Sequence, residues 1–324
     1  MFREDFVWGV ASSAYQVEGT DAADGRGACV WDMFAADGRV FEHQNAGTSC
    51  DHMHHYKEDI ALMKHLGIRA YRFSLNWARI LPEGTGRVNE KAIAMYRDMI
   101  LTMKENGITP YLTLFHWEFP QALYERGGWQ NPDVVQWFGE YAKVVAENFS
   151  DICEYFITIN EPQCVVGLGH LSGVHAPGVK LPVAQTFLVA HHLLMAHGQA
   201  VINLRRYAVR PVKIGFAPTG GVAYPYTDRP EDIEAAKKVY FGFYNPIDNW
   251  TWNVSWFSDP VFLGHYPEEG LKKFAPYLPE ITQEDMELIY QPLDFMGQNI
   301  YNGYYVRAGA DGEPEFVDLS LIHI

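Results

Sequence analysis

Apolar, β-branched runs alternate with helix-like periodicities from one end of the 324-residue chain to the other. The helical segments keep apolar residues on one face, as in 51–67, where Tyr56, Ile60 and Met63 share a side before Gly67. Because a strand–helix–strand order needs crossover connections, this alternation predicts a parallel sheet covered by helices. Six strands are predicted, at 6–11, 68–75, 109–115, 155–160, 213–218 and 295–301.

The predicted strands end in polar or aromatic residues. Their ends read AYQVEG, YRFSLNW, LFHWEFP, TINEP and QNIYNG. In a barrel of parallel strands all the C-terminal ends open on one face, where active sites form. An open doubly wound sheet would usually place a G-x-G-x-x-G turn after its first strand, and none follows here. We therefore predict an α/β fold of the TIM (β/α)8 type, with about six of the eight strand–helix units present. Residues 1–324 are expected to form a single, incomplete barrel domain.

The composition restricts the partners of the chain. Lys and Arg number 25 against 40 Asp and Glu, which gives a formal net charge of −15. An acidic chain without basic clusters is a poor ligand for nucleic acid or for anionic membranes, so neither is expected as a partner. The 9 Trp, 19 Tyr and 19 Phe residues fit core packing and also a cleft that stacks flat ligands such as sugar rings.

The cysteines and the N-terminus indicate the compartment. Four cysteines lack paired metal-binding spacing and are too few for a disulfide framework: Cys29, Cys50, Cys153 and Cys164. The N-terminal MFREDFVWG has no apolar signal core, and no apolar run reaches membrane-spanning length. We therefore expect free thiols and a cytoplasmic location.

Two histidine-rich helical segments raise the question of a metal site. They contain His52, His54, His55, His191, His192 and His197. None of these residues forms the i, i+4 pair with a third ligand that zinc favours. We expect no metal and no other cofactor.

The stretch EYFITINEPQC, residues 154–164, ends an apolar strand with a carboxylate. Phe156 to Ile159 indicate a strand that is buried on both faces. Glu161 at its end is costly to place unless it pairs with a cation or performs chemistry. Pro162 excludes the helical region for Glu161, so an extended backbone is expected there. The residues alone leave both interpretations open, a structural ion pair or a catalytic carboxyl.

The chain contains eight recognisable motifs, which are FVWGVASSAYQVEG, YRFSLNWARILPEG, LFHWEFPQAL, TINEP, HLSGVHAPG, HHLLMAHGQAV, DPVFLGHYPE and GQNIYNGYY. In this order, from residue 6 to 305, they resemble the β-glucosidase family, glycoside hydrolase family 1. The resemblance implies a (β/α)8 barrel that hydrolyses terminal β-linked glucosides or galactosides with retention. Retaining enzymes use one carboxyl as acid and then base, and a second, about 5–5.5 Å away, as nucleophile. The expected partners are β-glucosides or oligosaccharides.

The resemblance also implies roles for strand-end residues. Glu161 matches the acid/base, which must carry a proton when it meets the leaving oxygen. Residues that match the substrate-binding positions are Gln16, His116, Trp117, Asn160, Asn299 and Tyr301. Arg72 and Tyr301 match residues that hold and position the nucleophile. An arginine within a buried strand needs an anionic partner, because an unpaired buried charge is costly.

Two strand-end positions depart from the family pattern. Glu118 stands where the family usually has Asp. Gln163 stands where an aromatic or apolar residue is usual, which would alter the leaving-group side of the cleft.

The nucleophile motif is the main departure. In the family the nucleophile lies in an I/V-T-E-N-G motif after the seventh strand, and T-E-N-G does not occur in these 324 residues. Glu313, Glu315 and Asp318 lie in a turn-rich segment that is expected to have no buried strand to present a nucleophile. The alternative to an enzyme is therefore a C-terminally truncated, non-catalytic sugar-binding or structural fragment. Because an open six-stranded sheet has two free edges, we expect a homo-oligomer that closes the barrel.

Overall fold

A computed structural model describes residues 2–20, 24–243 and 246–317. Its strands are β1 (Gly9–Ala11), β2 (Ala70–Ser74), β3 (Thr109–Phe115), β4 (Tyr155–Asn160), β5 (Lys213–Ala217), β6 (Val222–Pro225), β7 (Phe295–Met296), β8 (Gly303–Ala308) and β9 (Pro314–Val317). The larger sheet has the order β1-β2-β3-β4-β5-β7, and every neighbouring pair is parallel. The predicted parallel sheet of six strands in chain order is confirmed.

Helices connect the strands of this sheet. They are α1 (Ala14–Val17), α2 (Val30–Ala36), α3 (His52–His65), α4 (Trp77–Ile80), α5 (Glu90–Glu105), α6 (Gln121–Tyr124), α7 (Val134–Phe149), α8 (Pro162–Val166), α9 (Val183–Tyr207), α10 (Pro230–Phe241), α11 (Val254–Phe262), α12 (Glu268–Phe274) and α13 (Gln283–Ile289). The long helices α3, α5, α7 and α9 each fall between consecutive parallel strands, as crossover connections require. Within the described ranges, no helix has the length and apolarity needed to cross a membrane.

The sheet curls strongly about its strand axes. In a flat sheet β2 and β7, four strand spacings apart, would be separated by about 19 Å. Arg72 of β2 nevertheless lies 3.3 Å from Asn299, which follows β7. The rings of Tyr111 in β3 and Phe295 in β7 are also in contact, with centroids 6.1 Å apart. This curvature is that of the predicted (β/α)8-type barrel, with six of its strands present.

The main hydrophobic core lies between the sheet and its helices. Trp77 stacks on Tyr141 of α7 with ring centroids 5.1 Å apart, and both rings are fully buried. A second aromatic cluster lies beside α9, where Phe187 stacks on Trp250 at 3.8 Å. Each such buried aromatic side chain stabilises the fold by roughly 1.5–3 kcal/mol relative to exposure. The helices are therefore fixed to the sheet chiefly by aromatic packing.

The two terminal strand predictions were too long. Of the run 6–11 only Gly9–Ala11 is a strand, because Phe2, Phe6 and Trp8 pack against one another at the surface. Of the run 295–301 only Phe295–Met296 pairs with β5, followed by a single bridge between Thr219 and Asn299. In the first run the aromatic side chains pack locally, whereas in the second Phe295 packs on Tyr111 and Tyr155 and Tyr301 is exposed.

A second sheet, with the order β6-β8-β9, was not predicted. It packs against α10, where Val306 is fully buried beside Ala235 and Ala236. Glu315 lies in β9 of this sheet and not in a turn, but β9 is not buried, so the expectation that no buried strand presents Glu315 holds. Its carboxylate is paired with Arg307 at 2.9 Å, and Glu313 is paired with Lys238 at 2.7 Å. Asp318 lies outside the described residues.

The contact between α9 and α13 depends on Gly198. A Cβ atom at this position would lie 1.8 Å from the carbonyl oxygen of Leu288. Replacing a helical glycine by alanine normally stabilises a helix by about 0.5–1 kcal/mol. We expect Gly198→Ala to do the opposite and lower the free energy of unfolding by about 1–3 kcal/mol, because the backbone of α13 must move.

The matched control is Gly139→Ala in α7. The atoms nearest to its Cβ would be side-chain atoms of Gln199 and Asn203, which can move more easily than a backbone carbonyl. Urea unfolding of both variants measures the difference. Equal midpoints for the two variants would contradict the close approach of α9 and α13.

Candidate active site

The end of β4 is irregular where it presents Asn160 and Glu161. The β4–β5 register shifts between Ile157 and Asn160, and the Glu161 N–H donates to the Ala217 carbonyl at 2.7 Å. Glu161 has φ 48° and ψ 69°, so the expectation of an extended backbone is wrong. The chain turns here from β4 directly into α8, and Pro162 still excludes the right-handed helical region for Glu161. Holding a non-glycine residue at positive φ costs on the order of 1–3 kcal/mol. Residues in this conformation occur most often at functional sites.

The carboxyl group of Glu161 is buried among neutral donors. The side chain is 5 % exposed. Asn299 Nδ2 donates to its Oε1 at 2.6 Å, and the Cys164 thiol donates to its Oε2 at 3.1 Å. Burial, followed by the charge of Glu161, raises the pKa of Cys164, so this group stays a thiol. In the described part of the chain no cation forms an ion pair with Glu161, which disfavours the structural ion-pair interpretation.

Arg72 projects from β2 into the same cluster. Its guanidinium donates to Asn160 Oδ1, to Asn299 Oδ1 at 3.3 Å and to Thr113 Oγ1 at 3.0 Å. Burial lowers the pKa of Arg72, and the nearby Glu161 opposes this. All the acceptors are neutral oxygens, and no carboxylate within the described ranges forms an ion pair with Arg72. Two of its five N–H groups remain available to an anion.

The protonation of His116 follows from the orientation of Asn160. Because a guanidinium can only donate, the Asn160 atom facing Arg72 is Oδ1, and Nδ2 faces His116 Nε2 at 3.2 Å. Nε2 therefore accepts, and the ring proton is on Nδ1. Burial, assisted by the charge of Arg72, lowers the pKa of His116 to about 3. The ring is therefore neutral at physiological pH, with Nε2 accepting from Asn160 and Nδ1 carrying the proton.

Gln16, His116 and Trp117 line one cavity of about 420 Å³ at the C-terminal ends of the strands. Trp31 and His175 line it as well. The Trp117 indole donates to the Asn160 carbonyl oxygen at 2.9 Å, which connects the cavity wall to the end of β4. Three of the predicted residues thus share this cavity, whereas Tyr301 lines a separate one beside β6 and β8.

Tyr301 is the most exposed of the predicted site residues, at 85 %. Partial burial and then the charge of Glu161 raise the pKa of its phenol, while Arg72 lowers it. The tyrosine therefore lies near both charged groups, but its side chain has no hydrogen bond to another described residue.

Sequence reasoning missed three contributors to the site. Cys164 follows Glu161 by three residues, and Thr113 precedes His116 by three, so spacing could have indicated both. Trp31 lies in a segment for which the sequence predicted neither a strand end nor a site residue. In the ranges that the structure describes, no three His, Cys, Asp or Glu residues are grouped to hold a metal ion.

Comparison with known proteins identifies the family of the chain. Residues 1–316 match glycosyl hydrolase family 1. The chain belongs to glycosyl hydrolase family 1. Curated relatives include β-glucosidase A of Thermotoga maritima, 42% identical over 323 residues, which cover 99% of this chain and 70% of the relative. The 1,4-β-D-glucan glucohydrolase of Thermotoga neapolitana is 42% identical over 307 residues, covering 94% of this chain and 70% of the relative.

The solved structure of the Thermotoga maritima β-glucosidase in complex with glucoimidazole superposes with a TM-score of 0.85 at 41% identity. The match covers 99% of this chain and 70% of that chain. This family 1 chain is a retaining hydrolase of β-glucosides. The alternative of a non-catalytic sugar-binding or structural fragment finds no support in these similarities.

The hydrogen bonds of the Asn299 amide are the contacts in this site that can be tested most directly. Asn299→Ala would leave Glu161 Oε1 and one Arg72 N–H without partners, and a lost hydrogen bond to a charged group costs about 1.5–3 kcal/mol. We expect kcat/KM for a nitrophenyl β-glucoside to fall at least about tenfold. Asn302→Ala, at an exposed position in the same segment, is the matched control. Equal kcat/KM in the two variants would contradict the role of Asn299.

Proposed function

We propose that Glu161 is the acid/base carboxyl of this family 1 glycosidase. Glu161 is 5 % exposed at the end of β4, and its carboxyl group is held by Asn299, the residue that also contacts Arg72. The hydrogen bonds of Asn299 to both Glu161 and Arg72 are the observation that supports the proposal most. The group that meets the leaving oxygen must deliver a proton to it, which a carboxyl group at this position can do. After the leaving group departs, the same group accepts a proton from water.

We propose that the remaining predicted residues bind the sugar. Neutral His116 and the amides of Gln16, Asn160 and Asn299 offer donors and acceptors to hydroxyl groups, and Trp117 offers a flat apolar face. Glucose is the favoured terminal sugar, since the relatives are named β-glucosidase and 1,4-β-D-glucan glucohydrolase. The substrates are then β-glucosides, including β-linked oligosaccharides.

Arg72 and Tyr301 are proposed to position the second carboxylate. Retention requires an ionised carboxylate about 5–5.5 Å from the acid/base. Two free N–H groups on Arg72 fit such an anion, and the Tyr301 phenol lies close enough to Arg72 and Glu161 to be influenced by both charges. The family motif that carries this carboxylate does not occur in the 324 residues.

Leaving-group dependence tests the role of Glu161. Protonation matters for a poor leaving group and little for an activated one, so Glu161→Ala should lower kcat/KM about 10²–10⁴-fold on a 4-nitrophenyl β-glucoside. The loss should be much smaller on the 2,4-dinitrophenyl analogue. Azide, a small anion that needs no general base, should partly restore turnover of the variant on the activated substrate.

The matched control is Glu140→Ala, which removes an exposed carboxylate from α7. It should leave both substrates unaffected. Equal losses by Glu161→Ala on both substrates, or no loss at all, would overturn the assignment.

We further propose that residues 1–324 form one domain that assembles as a homo-oligomer in the cytoplasm. One large core cluster includes residues from Val30 to Ile289, which supports a single domain.

Val10 and Met296 are 40% and 48% exposed on β1 and β7, the edge strands of the larger sheet, and a partner could cover them. The exposed free thiol of Cys50 fits a reducing compartment. Sedimentation of a stable monomer at micromolar concentration would contradict the proposed homo-oligomer. Recovery of Cys50 in oxidised form from cells would contradict the proposed cytoplasmic location.

A further inference from the structure

Glu118 is a buried carboxyl group that the chemistry described above does not use. It follows His116 and Trp117 directly at the end of β3 and is 1 % exposed. Its Oε1 accepts a hydrogen bond from the backbone N–H of Tyr15 at 2.8 Å. Tyr15 immediately precedes Gln16, so this one contact connects the two segments that form the sugar cavity.

The segment that carries Gln16 has little stability of its own. Helix α1 is four residues long, and an isolated helix of this length does not form in water. Ser13 makes no side-chain capping bond to it. The N–H of Ala14 donates to Ser74 Oγ at 2.7 Å, and the N–H of Tyr15 donates to Glu118. Side chains from the ends of β2 and β3 therefore hold α1 in place.

The second oxygen of Glu118 indicates which protonation state makes this contact. Oε2 is buried and has no hydrogen-bond partner among the described residues. A carboxylate would leave a negative charge unsolvated there, whereas a neutral carboxyl can place its proton on this oxygen. Burial raises the pKa of Glu118 to about 8, and the Tyr15 hydrogen bond acts in the opposite direction.

The charged and titratable groups around Glu118 do not neutralise it. Those that interact with it electrostatically are Tyr15, Glu18, Arg26, Cys29 and Tyr141. Arg26 is the only cation among them, and its guanidinium is already engaged with Asp32 at 2.8 Å and with the Cys29 sulfur at 3.3 Å. Glu18 adds a like charge. The surroundings therefore favour the neutral form of Glu118.

We propose that Glu118 is a positioning residue that holds Gln16 opposite His116 and Trp117 as long as it carries its proton. The inference rests on the proposed sugar-binding role of these three residues. When Glu118 ionises, the buried charge favours opening of α1 toward water, and Gln16 leaves its place. Sugar binding then becomes pH-dependent through a group that touches no sugar.

The test uses the full 324-residue chain and phenyl 1-thio-β-D-glucoside, a neutral ligand that resists hydrolysis. Calorimetric titration at pH 6 and pH 9 compares the wild type with Glu118→Gln and Glu118→Leu. Glutamine keeps the acceptor for Tyr15 and cannot ionise, whereas leucine keeps the volume and removes the acceptor. Glu140→Gln removes an exposed carboxylate from α7 and serves as the control.

The affinity of the wild type should fall about three- to tenfold from pH 6 to pH 9, relative to Glu118→Gln. Glu118→Gln should bind like the wild type at pH 6 and lack this additional loss. Glu118→Leu should bind at least about fivefold more weakly at pH 6, because the Tyr15 N–H loses its acceptor. The Glu140→Gln variant should follow the wild type at both pH values.

Thermal unfolding provides a second readout that needs no ligand. A carboxyl whose folded-state pKa is raised contributes stability that is present below the unfolded pKa, near pH 4, and is lost as the pH rises through about 8. The melting temperature of Glu118→Gln should therefore rise relative to the wild type between pH 4 and pH 9. This comparison decides the question even if Glu118→Leu does not fold.

The outcomes separate the inference from the function on which it rests. Failure of the wild type to bind the thioglucoside at pH 6 would overturn the proposed function and the inference with it. Binding by the wild type with the same pH dependence in Glu118→Gln would overturn the inference alone. An equal affinity in Glu118→Leu at pH 6 would do so as well.

Discussion

The guanidinium of Arg72 sets the orientation of the two side-chain amides in the site. A guanidinium can only donate, so the side-chain amides of Asn160 and Asn299 must both turn their oxygens toward it. Each amide is then left with its nitrogen pointing away. Asn160 donates to His116, and Asn299 donates to Asn160 and to Glu161. One donor-only residue therefore fixes the tautomer of a histidine and the surroundings of a carboxyl group that it does not touch.

This network also depends on the curvature of the sheet. Arg72 lies on β2, Asn160 ends β4 and Asn299 follows β7, so the three groups meet only if the sheet bends around its axis. Each hydrogen bond between them stabilises the closed curvature by about 0.5–1.5 kcal/mol, and more where the charge is involved. The residues proposed to act on sugar thus also contribute to the shape that brings them together. The aromatic packing behind the sheet provides the larger part of that stability.

The order of the strands and the position of Glu161 could be predicted because both leave local signals. Alternating periodicity gives the parallel order, and a carboxylate after a buried strand stands out within a few residues. The left-handed backbone of Glu161 could not be predicted, because it depends on the Ala217 carbonyl of the next strand. The same holds for the contact between Asn160 and Asn299, which are 139 residues apart. The small sheet was missed because β6 and β8 pair across the four helices α10–α13.

The distribution of charge in the site depends on the same hydrogen-bond network. The cluster holds one cation, Arg72, and the one carboxyl that it approaches, Glu161, receives its hydrogen bonds from neutral groups. A neutral His116 adds no second positive charge. A second carboxylate placed against the free N–H groups of Arg72 would have its ionised form favoured by the cation. Two carboxyl groups would thus meet different neighbours here, since the guanidinium would contact the second one directly whereas Glu161 contacts Asn299 and Cys164, and a retaining glycosidase needs two carboxyl groups in different roles.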